Sequence, residues 1–177
     1  MTWLNNLFGE KKMSALTVGT KAPSLELPAM DGSKFSLPEA LARGPVLAIF
    51  FKVSCPVCQY AFPYFERLYK TYGDKQLTIV GISQNDQQDT AKFLKKYGVT
   101  FPVLLDDPKT YSASNAYGLT NVPTSFWISS DGMIEISSVG WMRTEFEEMA
   151  SRAAAATASV PLPIFQPKEA IADFRAG

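Results

Sequence analysis

The feature that most limits the fold is an apolar strand that leads directly into a helix, in the stretch VLAIFFKVSCPVCQ. Residues 46–53 form a largely apolar run, which is typical of a strand buried on both faces. A helix pattern follows from Pro56 to Tyr72 and ends at Gly73. A strand with two buried faces needs helices on both sides of its sheet, so this stretch predicts an α/β fold.

The rest of the chain continues the alternation of short β-like and longer helix-like segments. Asp31-Gly32 is a turn signal between two short strands and predicts an N-terminal β-hairpin. The two hairpin strands are predicted over residues 24–27 and 35–37, and further strands over residues 77–83, 101–105, 125–129 and 133–138. Helices are predicted after the Asn85 or Asp86 cap and up to Gly98, over residues 108–117, and behind a capping box made by Thr144 and Glu147. This order implies a mixed sheet with helices on both faces.

The length of 177 residues fits one domain with additions at both ends. We expect an N-terminal extension over residues 1–17, a main domain over residues 18–156 and a proline-rich strap over residues 157–177. The strap carries three prolines ahead of a short predicted helix over residues 168–174. Its apolar residues favour packing across the domain surface, and a contact with a partner or a second copy is the alternative.

Composition excludes several classes of function. Lys plus Arg and Asp plus Glu both count 17, so no basic surface for nucleic acid is expected. The absence of histidine excludes Ser-His-Asp and Cys-His catalysis and every histidine metal site. Two cysteines cannot supply the four ligands of a structural zinc site without carboxylates or a second chain, so a metal site is disfavoured. No metal and no cofactor are predicted.

The N-terminal residues and the longest apolar stretch bear on location. MTWLNNLFGEKKM lacks an apolar run of signal-peptide length, and residues 45–51 are too few to span a membrane. We therefore expect a cytoplasmic protein without an integral membrane segment. The sequence leaves open whether Met1 or Met13 is the true start.

The two cysteines are not equivalent in the helix pattern. Cys58 begins an apolar stripe at helical spacing that continues through Ala61, Phe62, Phe65, Leu68, Tyr69 and Tyr72. Cys58 should therefore be buried. Cys55 precedes Pro56, and proline favours the first helical position, so Cys55 is placed at the helix N-terminus, where free N–H groups stabilise a thiolate.

These positions predict different roles for the pair. Cys55 is the expected exposed nucleophile, and Cys58, one turn later, is expected to resolve a mixed disulfide from inside. A structural disulfide is the alternative, but closing so small a loop removes little chain entropy. Redox chemistry is therefore the favoured interpretation.

Several motifs of the chain resemble the thioredoxin superfamily. They are GTKAPSLEL with DGSKFSL, GPVLAIFFKVSCPVC, YGVTFPVLLDD and AYGLTNVPTSFWISSDG. The likeness covers about residues 18–153 and is strongest to the redoxin branch, which joins membrane-anchored or periplasmic disulfide reductases of the TlpA and ResA type with AhpC/TSA peroxiredoxins. The resemblance implies a thioredoxin-like fold with a mixed central sheet.

The resemblance also implies a substrate site. Pro123 matches the family's cis-proline beside the dithiol, so Val122 is expected to pair its backbone with an incoming substrate strand. Pro56 and Val57, between the cysteines, are expected to line the same site. Pro63 matches the proline that kinks the family's active-site helix.

Two departures from thioredoxin itself affect proton transfer. The buried Asp before the turn is replaced by Ile49, and the Trp before the first cysteine is replaced by Ser54. Proton transfer to Cys58 is therefore expected from the region after the second core strand, from Asn85, Asp86 or Asp89, with Asp86 as the leading candidate and helix capping as the alternative. Lys52 could stabilise the Cys55 thiolate or point to solvent.

The leading hypothesis is a thiol-disulfide oxidoreductase that reduces or exchanges protein disulfides with an unidentified electron donor or acceptor. A peroxiredoxin needs Thr or Ser three residues before its peroxidatic cysteine, and Lys52 stands there relative to Cys55. A peroxiredoxin-like antioxidant and a non-catalytic thioredoxin-fold binding module are the alternatives. The direction of electron flow and the oligomeric state stay open.

Overall fold

The computed structural model describes residues 14–73 and 76–177. Its strands are β1 (Glu26–Pro28), β2 (Lys34–Ser36), β3 (Val46–Phe51), β4 (Thr78–Ser83), β5 (Val103–Leu105), β6 (Thr124–Ile128), β7 (Ile134–Val139), β8 (Trp141–Met142) and β9 (Phe174–Arg175). Its helices are α1 (Leu37–Leu41), α2 (Pro56–Tyr72), α3 (Gln87–Tyr97), α4 (Ser112–Ala116) and α5 (Arg143–Ala156).

The central sheet has five strands in the order β5-β4-β3-β6-β7. β3 runs parallel to β4, and β4 runs parallel to β5, whereas β6 is antiparallel to both β3 and β7. This is the mixed sheet predicted from the sequence. β1 and β2 form the predicted N-terminal hairpin beside it.

The central strand β3 divides the core into two halves. All six of its residues are buried. Leu47, Ile49 and Phe51 face a cluster that also contains residues of α2, α3 and α5, whereas the alternate residues of β3 face the opposite cluster. Burying such side chains stabilises the fold by roughly 1.5–3 kcal/mol each. The expectation of a strand buried on both faces is confirmed.

Helix α2 matches its predicted bounds and its predicted apolar face, with one correction. Glu66 lies outside the apolar stripe, so helical spacing predicts that it faces solvent, but it is only 5% exposed. Its carboxylate accepts hydrogen bonds from the backbone N–H of Thr100 at 2.7 Å and from the Thr100 hydroxyl. The loop after α3 covers this part of α2, a contact between distant residues that helical periodicity does not reveal.

Other local predictions are wrong in detail. Helix α5 begins at Arg143, and its N-cap Met142 makes no side-chain capping bond, so Thr144 and Glu147 form no capping box. Glu147 instead accepts a hydrogen bond from Arg143. The predicted helix over residues 108–117 is reduced to α4, because Tyr111 adopts a left-handed φ of 48°.

The C-terminal residues lie across α2 and end as a strand. Ile164 is buried, and Arg67 of α2 binds Glu169 through two hydrogen bonds and also donates to the Ile164 carbonyl. The predicted short helix over residues 168–174 is absent, since Phe174 and Arg175 form β9 and pair with β8. Within residues 14–73 and 76–177, no helix combines the length and the apolar character needed to cross a membrane.

Candidate active site

Cys55 stands where β3 ends and α2 begins. It is the N-cap residue of α2, in an extended conformation, and Pro56 occupies the first turn. The Cys55 Sγ accepts a hydrogen bond from the backbone N–H of Cys58 at 3.3 Å, and the Cys55 N–H donates to the Lys52 carbonyl at 3.1 Å. The sulfur therefore takes the place of the oxygen that usually caps a helix.

The loop before β6 lies against the same sulfur. The Val122–Pro123 peptide bond is cis, as the resemblance implies. In its thiol form Cys55 donates to the Val122 carbonyl at 3.2 Å. The Pro123 side chain is buried, and its carbonyl accepts a hydrogen bond from Gly140 at 2.7 Å. Cys55 and Val122 are 67 positions apart in the sequence, and they are in contact through the Cys55 sulfur.

The two cysteines differ strongly in acidity. The hydrogen bond from the Cys58 side chain lowers the pKa of Cys55 from 9.0 to about 6, with help from backbone N–H groups and against the opposing effect of burial. At pH 7 a thiol with this pKa is about nine-tenths thiolate. Both cysteines are free thiols, and Cys55 is half-buried where the sequence predicted it exposed.

Cys58 lies on the buried face of α2, as the apolar stripe predicts. Its side chain is 0% exposed. Burial raises the pKa of the Cys58 thiol, and the hydrogen bond to Cys55 adds to the rise. A thiol and a thiolate are therefore adjacent at neutral pH, with the charge on the accessible sulfur.

Two amide side chains hold the turn between β3 and α2, a role that was not predicted for either of them from the sequence. The Asn85 Oδ1 accepts from the Val53 N–H at 3.0 Å, and the Gln59 Nε2 donates to the Val53 carbonyl at 2.9 Å. Asn85 follows β4, which neighbours β3 in the sheet, so its place at the carboxyl edge was the available signal.

The remaining predicted site residues lie around this turn with different contacts. Lys52 and Pro56 are exposed, and Val57 is half-buried. Asp86 is exposed and caps α3 by accepting from the Asp89 N–H at 2.8 Å. This contact accounts for Asp86 as a helix cap, and its part in proton transfer stays a prediction.

The described residues offer no cluster of three or more His, Cys, Asp or Glu side chains able to hold a metal ion. What the turn brings together is a low-pKa sulfur, a buried thiol and the Val122 carbonyl of the loop before β6. This combination suits thiol-disulfide exchange, because the attacking species is a thiolate and a second thiol lies within one helical turn.

Comparison with known proteins agrees with this chemistry. Residues 18–137 match the model of the AhpC/TSA family. A thiol-disulfide oxidoreductase ResA of Geobacillus thermodenitrificans is 30% identical over 141 residues, which cover 79% of this chain and 78% of the relative. The ResA of Halalkalibacterium halodurans is 28% identical, over 83% and 81% of the two chains.

Solved structures give the same answer for the fold. The crystal structure of a thiol:disulfide interchange protein of the thioredoxin family from Chlorobium tepidum is 29% identical, with a TM-score of 0.64, and the match covers 78% of this chain and 99% of that one. The thioredoxin-like fold predicted from the sequence motifs is confirmed.

The expectation of a cytoplasmic protein is wrong. It rested on a missing leader pattern, whereas the relatives are oxidoreductases of the ResA type, which act anchored to the membrane or outside the cytoplasm. The lack of a signal-peptide pattern in the N-terminal residues is weaker evidence for the location of the protein than the location of its relatives is. Residues 1–13, on which that reading and the choice of start codon fell, lie outside the described residues.

The family match covers more than half of the chain, and the ResA relatives share its length and its chemistry. Such enzymes act on protein substrates. The chain belongs to the AhpC/TSA family and is a thiol-disulfide oxidoreductase with a thioredoxin-like fold.

Proposed function

We propose that the protein reduces disulfides in other proteins, with Cys55 as the nucleophile and Cys58 as the resolving thiol. The observation that carries this proposal is the position of the Cys55 sulfur. It accepts a hydrogen bond from the Cys58 N–H and contacts the Val122 carbonyl. A low-pKa sulfur at the carboxyl edge of the sheet attacks readily, and a buried partner thiol follows it.

The reaction balances as two exchanges. The Cys55 thiolate attacks one sulfur of the substrate disulfide, a mixed disulfide forms, and the first substrate thiolate leaves. Cys58 then loses its proton and attacks the Cys55 sulfur, which forms the Cys55–Cys58 disulfide and releases the second substrate thiolate. The substrate gains two electrons, and an external thiol donor later returns the dithiol to its reduced form.

The second exchange requires Cys58 to become acidic at the right moment. Burial is the largest cause of its raised pKa, and the negative charge of Cys55 is a further one. Once Cys55 is bonded to the substrate, that charge is gone and the pKa of Cys58 falls. The departing substrate thiolate is then a nearby base, while Asp86 and Lys52 remain proposed contributors through proton transfer and thiolate stabilisation.

The substrate is proposed to bind as an extended strand. The backbone of Val122 would pair with it, and Pro123, Pro56 and Val57 would contact the residues on either side of its cysteine. We further propose that residues 18–156 form the catalytic domain, between an extension over residues 1–17 and the strap over residues 157–177.

Trapping tests the proposal. Cys58→Ser keeps the attacking thiolate and removes the resolving thiol, so mixed disulfides with a model disulfide protein should accumulate through Cys55. Mass spectrometry before and after reduction measures them, and Cys55→Ser/Cys58→Ser is the matched control. The double variant has no sulfur that can form a mixed disulfide, so it reports non-covalent association alone; an absence of mixed disulfides with Cys58→Ser would contradict the proposal and favour a binding module.

A peroxide assay separates the second alternative. Hydrogen peroxide consumption with dithiothreitol as the reductant should stay near the rate of a free thiol, because Lys52 stands in place of the orienting Thr or Ser. Consumption that exceeds this rate by orders of magnitude would favour a peroxiredoxin.

A further inference from the structure

The last residues of the chain return to the catalytic turn. We call residues 172–177 the returning segment. Its strand β9 pairs antiparallel with β8, with Trp141 opposite Arg175. The Trp141 indole N–H donates to the Ala172 carbonyl at 2.7 Å, and the Ala172 N–H donates to the Tyr60 hydroxyl at 2.9 Å. Tyr60 lies on α2, two positions after Cys58.

The returning segment ends against the loop that contacts Cys55. A Cβ atom built on Gly177 would lie 2.6 Å from the Val122 oxygen, so no side chain fits between Gly177 and this carbonyl. The Asn121 Nδ2 donates to the Gly177 oxygen at 2.9 Å. The same Val122 carbonyl accepts the hydrogen bond from Cys55.

The segment also contacts Gly140, which lies between β7 and β8. A Cβ on Gly140 would lie 2.5 Å from the Arg175 oxygen and 2.9 Å from the Gly177 nitrogen. Gly140 has a left-handed φ of 78°, so two constraints require glycine there. The Gly140 N–H donates a hydrogen bond to the Pro123 carbonyl. The returning segment therefore lies along the Val122–Pro123 backbone, which a substrate strand would approach.

The segment is held by hydrogen bonds and by surface contacts, and Ala172 is its residue that packs against the core. β9 has only two residues, both exposed, and Phe174 is 57% exposed. The Arg175 guanidinium lies 4.1 Å from the centre of the Tyr60 ring, a cation–π contact that is weak at an exposed site. Short exposed strands with few buried contacts open at low free-energy cost.

We propose that the returning segment is an intramolecular competitor for the substrate strand, which an extended polypeptide must displace before it pairs with Val122. The inference rests on the proposed function, since it takes Val122 as the pairing backbone. A small disulfide needs to reach only the Cys55 sulfur and does not need the segment to move. The segment thus sets which disulfides the enzyme accepts, by size and by extended conformation.

The test compares two substrates and two forms of the full chain. Asn121→Ala/Arg175→Ala removes the hydrogen bond to Gly177 and the contact with Tyr60. We expect kcat/KM for reduction of insulin to rise, while kcat/KM for 5,5′-dithiobis(2-nitrobenzoate) stays at the value of the unmodified protein. If the segment is displaced one-tenth of the time in the unmodified protein, the insulin value rises about tenfold.

A matched control loosens the C-terminal region at a place distant from Val122 and Cys55. Glu169→Ala breaks the ion pair with Arg67, about three turns along α2 from Cys55, and should leave both substrates unaffected. Amide hydrogen exchange over residues 172–177 shows whether the segment is released. Gly177→Val is a second releasing variant, because its side chain would overlap the Val122 oxygen.

Each outcome decides the proposal. Faster exchange with an unchanged ratio of insulin to small-disulfide reduction overturns it, and so does unchanged exchange in both releasing variants, since the segment would then not be displaceable. The proposed function fails separately, if reduction of the small disulfide persists in Cys55→Ser.

Discussion

Two strand-to-helix turns at the same edge of the sheet share one local design and differ in what packs on them. β3 passes into α2 with Cys55 as the N-cap, and β4 passes into α3 with Asp86 as the N-cap. In both, the cap side chain accepts from the N–H three residues later, at 3.3 Å for Cys55 and at 2.8 Å for Asp86. Each cap gains from the same free N–H groups.

Their surroundings separate them. The Cys55 sulfur lies under the Val122 carbonyl and beside a buried thiol, whereas the Asp86 carboxylate is exposed and its cap bond stays on its own helix. The N-terminus of a helix therefore stabilises negative charge. Because of its tertiary contacts, the N-terminus of α2 is a candidate redox centre, whereas Asp86 at the N-terminus of α3 is a helix cap.

The largest expected effect follows from replacing one cap at a time. Cys55→Ser keeps a capping oxygen but removes the attacking sulfur, so reduction of insulin should fall by about a thousandfold or more, the scale on which a lost nucleophile acts. Asp86→Ala should lose far less activity, because Asp86 caps α3 and is a proposed contributor to proton transfer, whereas it forms no bond with the substrate. Comparable losses in the two variants would show that the turns do not differ as proposed.

The next effect concerns the thiol that neighbours the cap. Cys58→Ala removes the hydrogen bond that contributes most to the lowered pKa of Cys55, so the pH midpoint for alkylation of Cys55 by iodoacetamide should rise above about 6. Below the midpoint, each unit of rise lowers the thiolate fraction about tenfold. Cys58→Ser keeps a hydroxyl donor and should give a smaller rise. Equal midpoints in both variants would exclude this hydrogen bond as the main cause.

A third expectation is the contribution of Cys55 to the pH dependence of stability. The pKa of Cys55 is lowered from 9.0 to about 6, so between these values the unfolded chain binds the proton that the folded protein has lost. Stability therefore rises with pH across this window, and the contribution is lost as pH falls through about 6. Urea unfolding of the reduced protein at pH 6 and pH 8, compared with Cys55→Ser, measures it. A difference between the two proteins that does not grow with pH would contradict the assignment.

The smallest expected effect is on the free energy of unfolding, through the turn between β4 and α3 that Asp86 caps. Asp86→Ala should lower the free energy of unfolding by about 1 kcal/mol, the usual value of a helix cap. Asp86→Asn keeps a capping oxygen and should lower it less. If either change shifts the alkylation midpoint of Cys55, then Asp86 acts on the dithiol beyond its role as a cap, which would support its part in proton transfer.

Local patterns were sufficient for much of the fold. The apolar run of β3, the stripe on α2 and the Asp31-Gly32 turn each depend on neighbours within a few positions, and the structure confirms all three. The capping box behind Thr144 failed because the β8 strand sets where α5 begins. The short helix predicted near the C-terminus failed because β8 offered a strand partner.

The candidate active site likewise has features that local sequence predicts and features that depend on tertiary contacts. The order of residues around Pro56 was enough to place one cysteine at a helix start and the other on a buried face, since both follow from helical spacing and proline geometry. The contacts of Val122 with Cys55, of Asn85 with Val53 and of Gly177 with Val122 join residues 67, 32 and 55 positions apart. No local periodicity encodes such contacts, because they exist only once the strands are ordered in the sheet and the chain has returned across it.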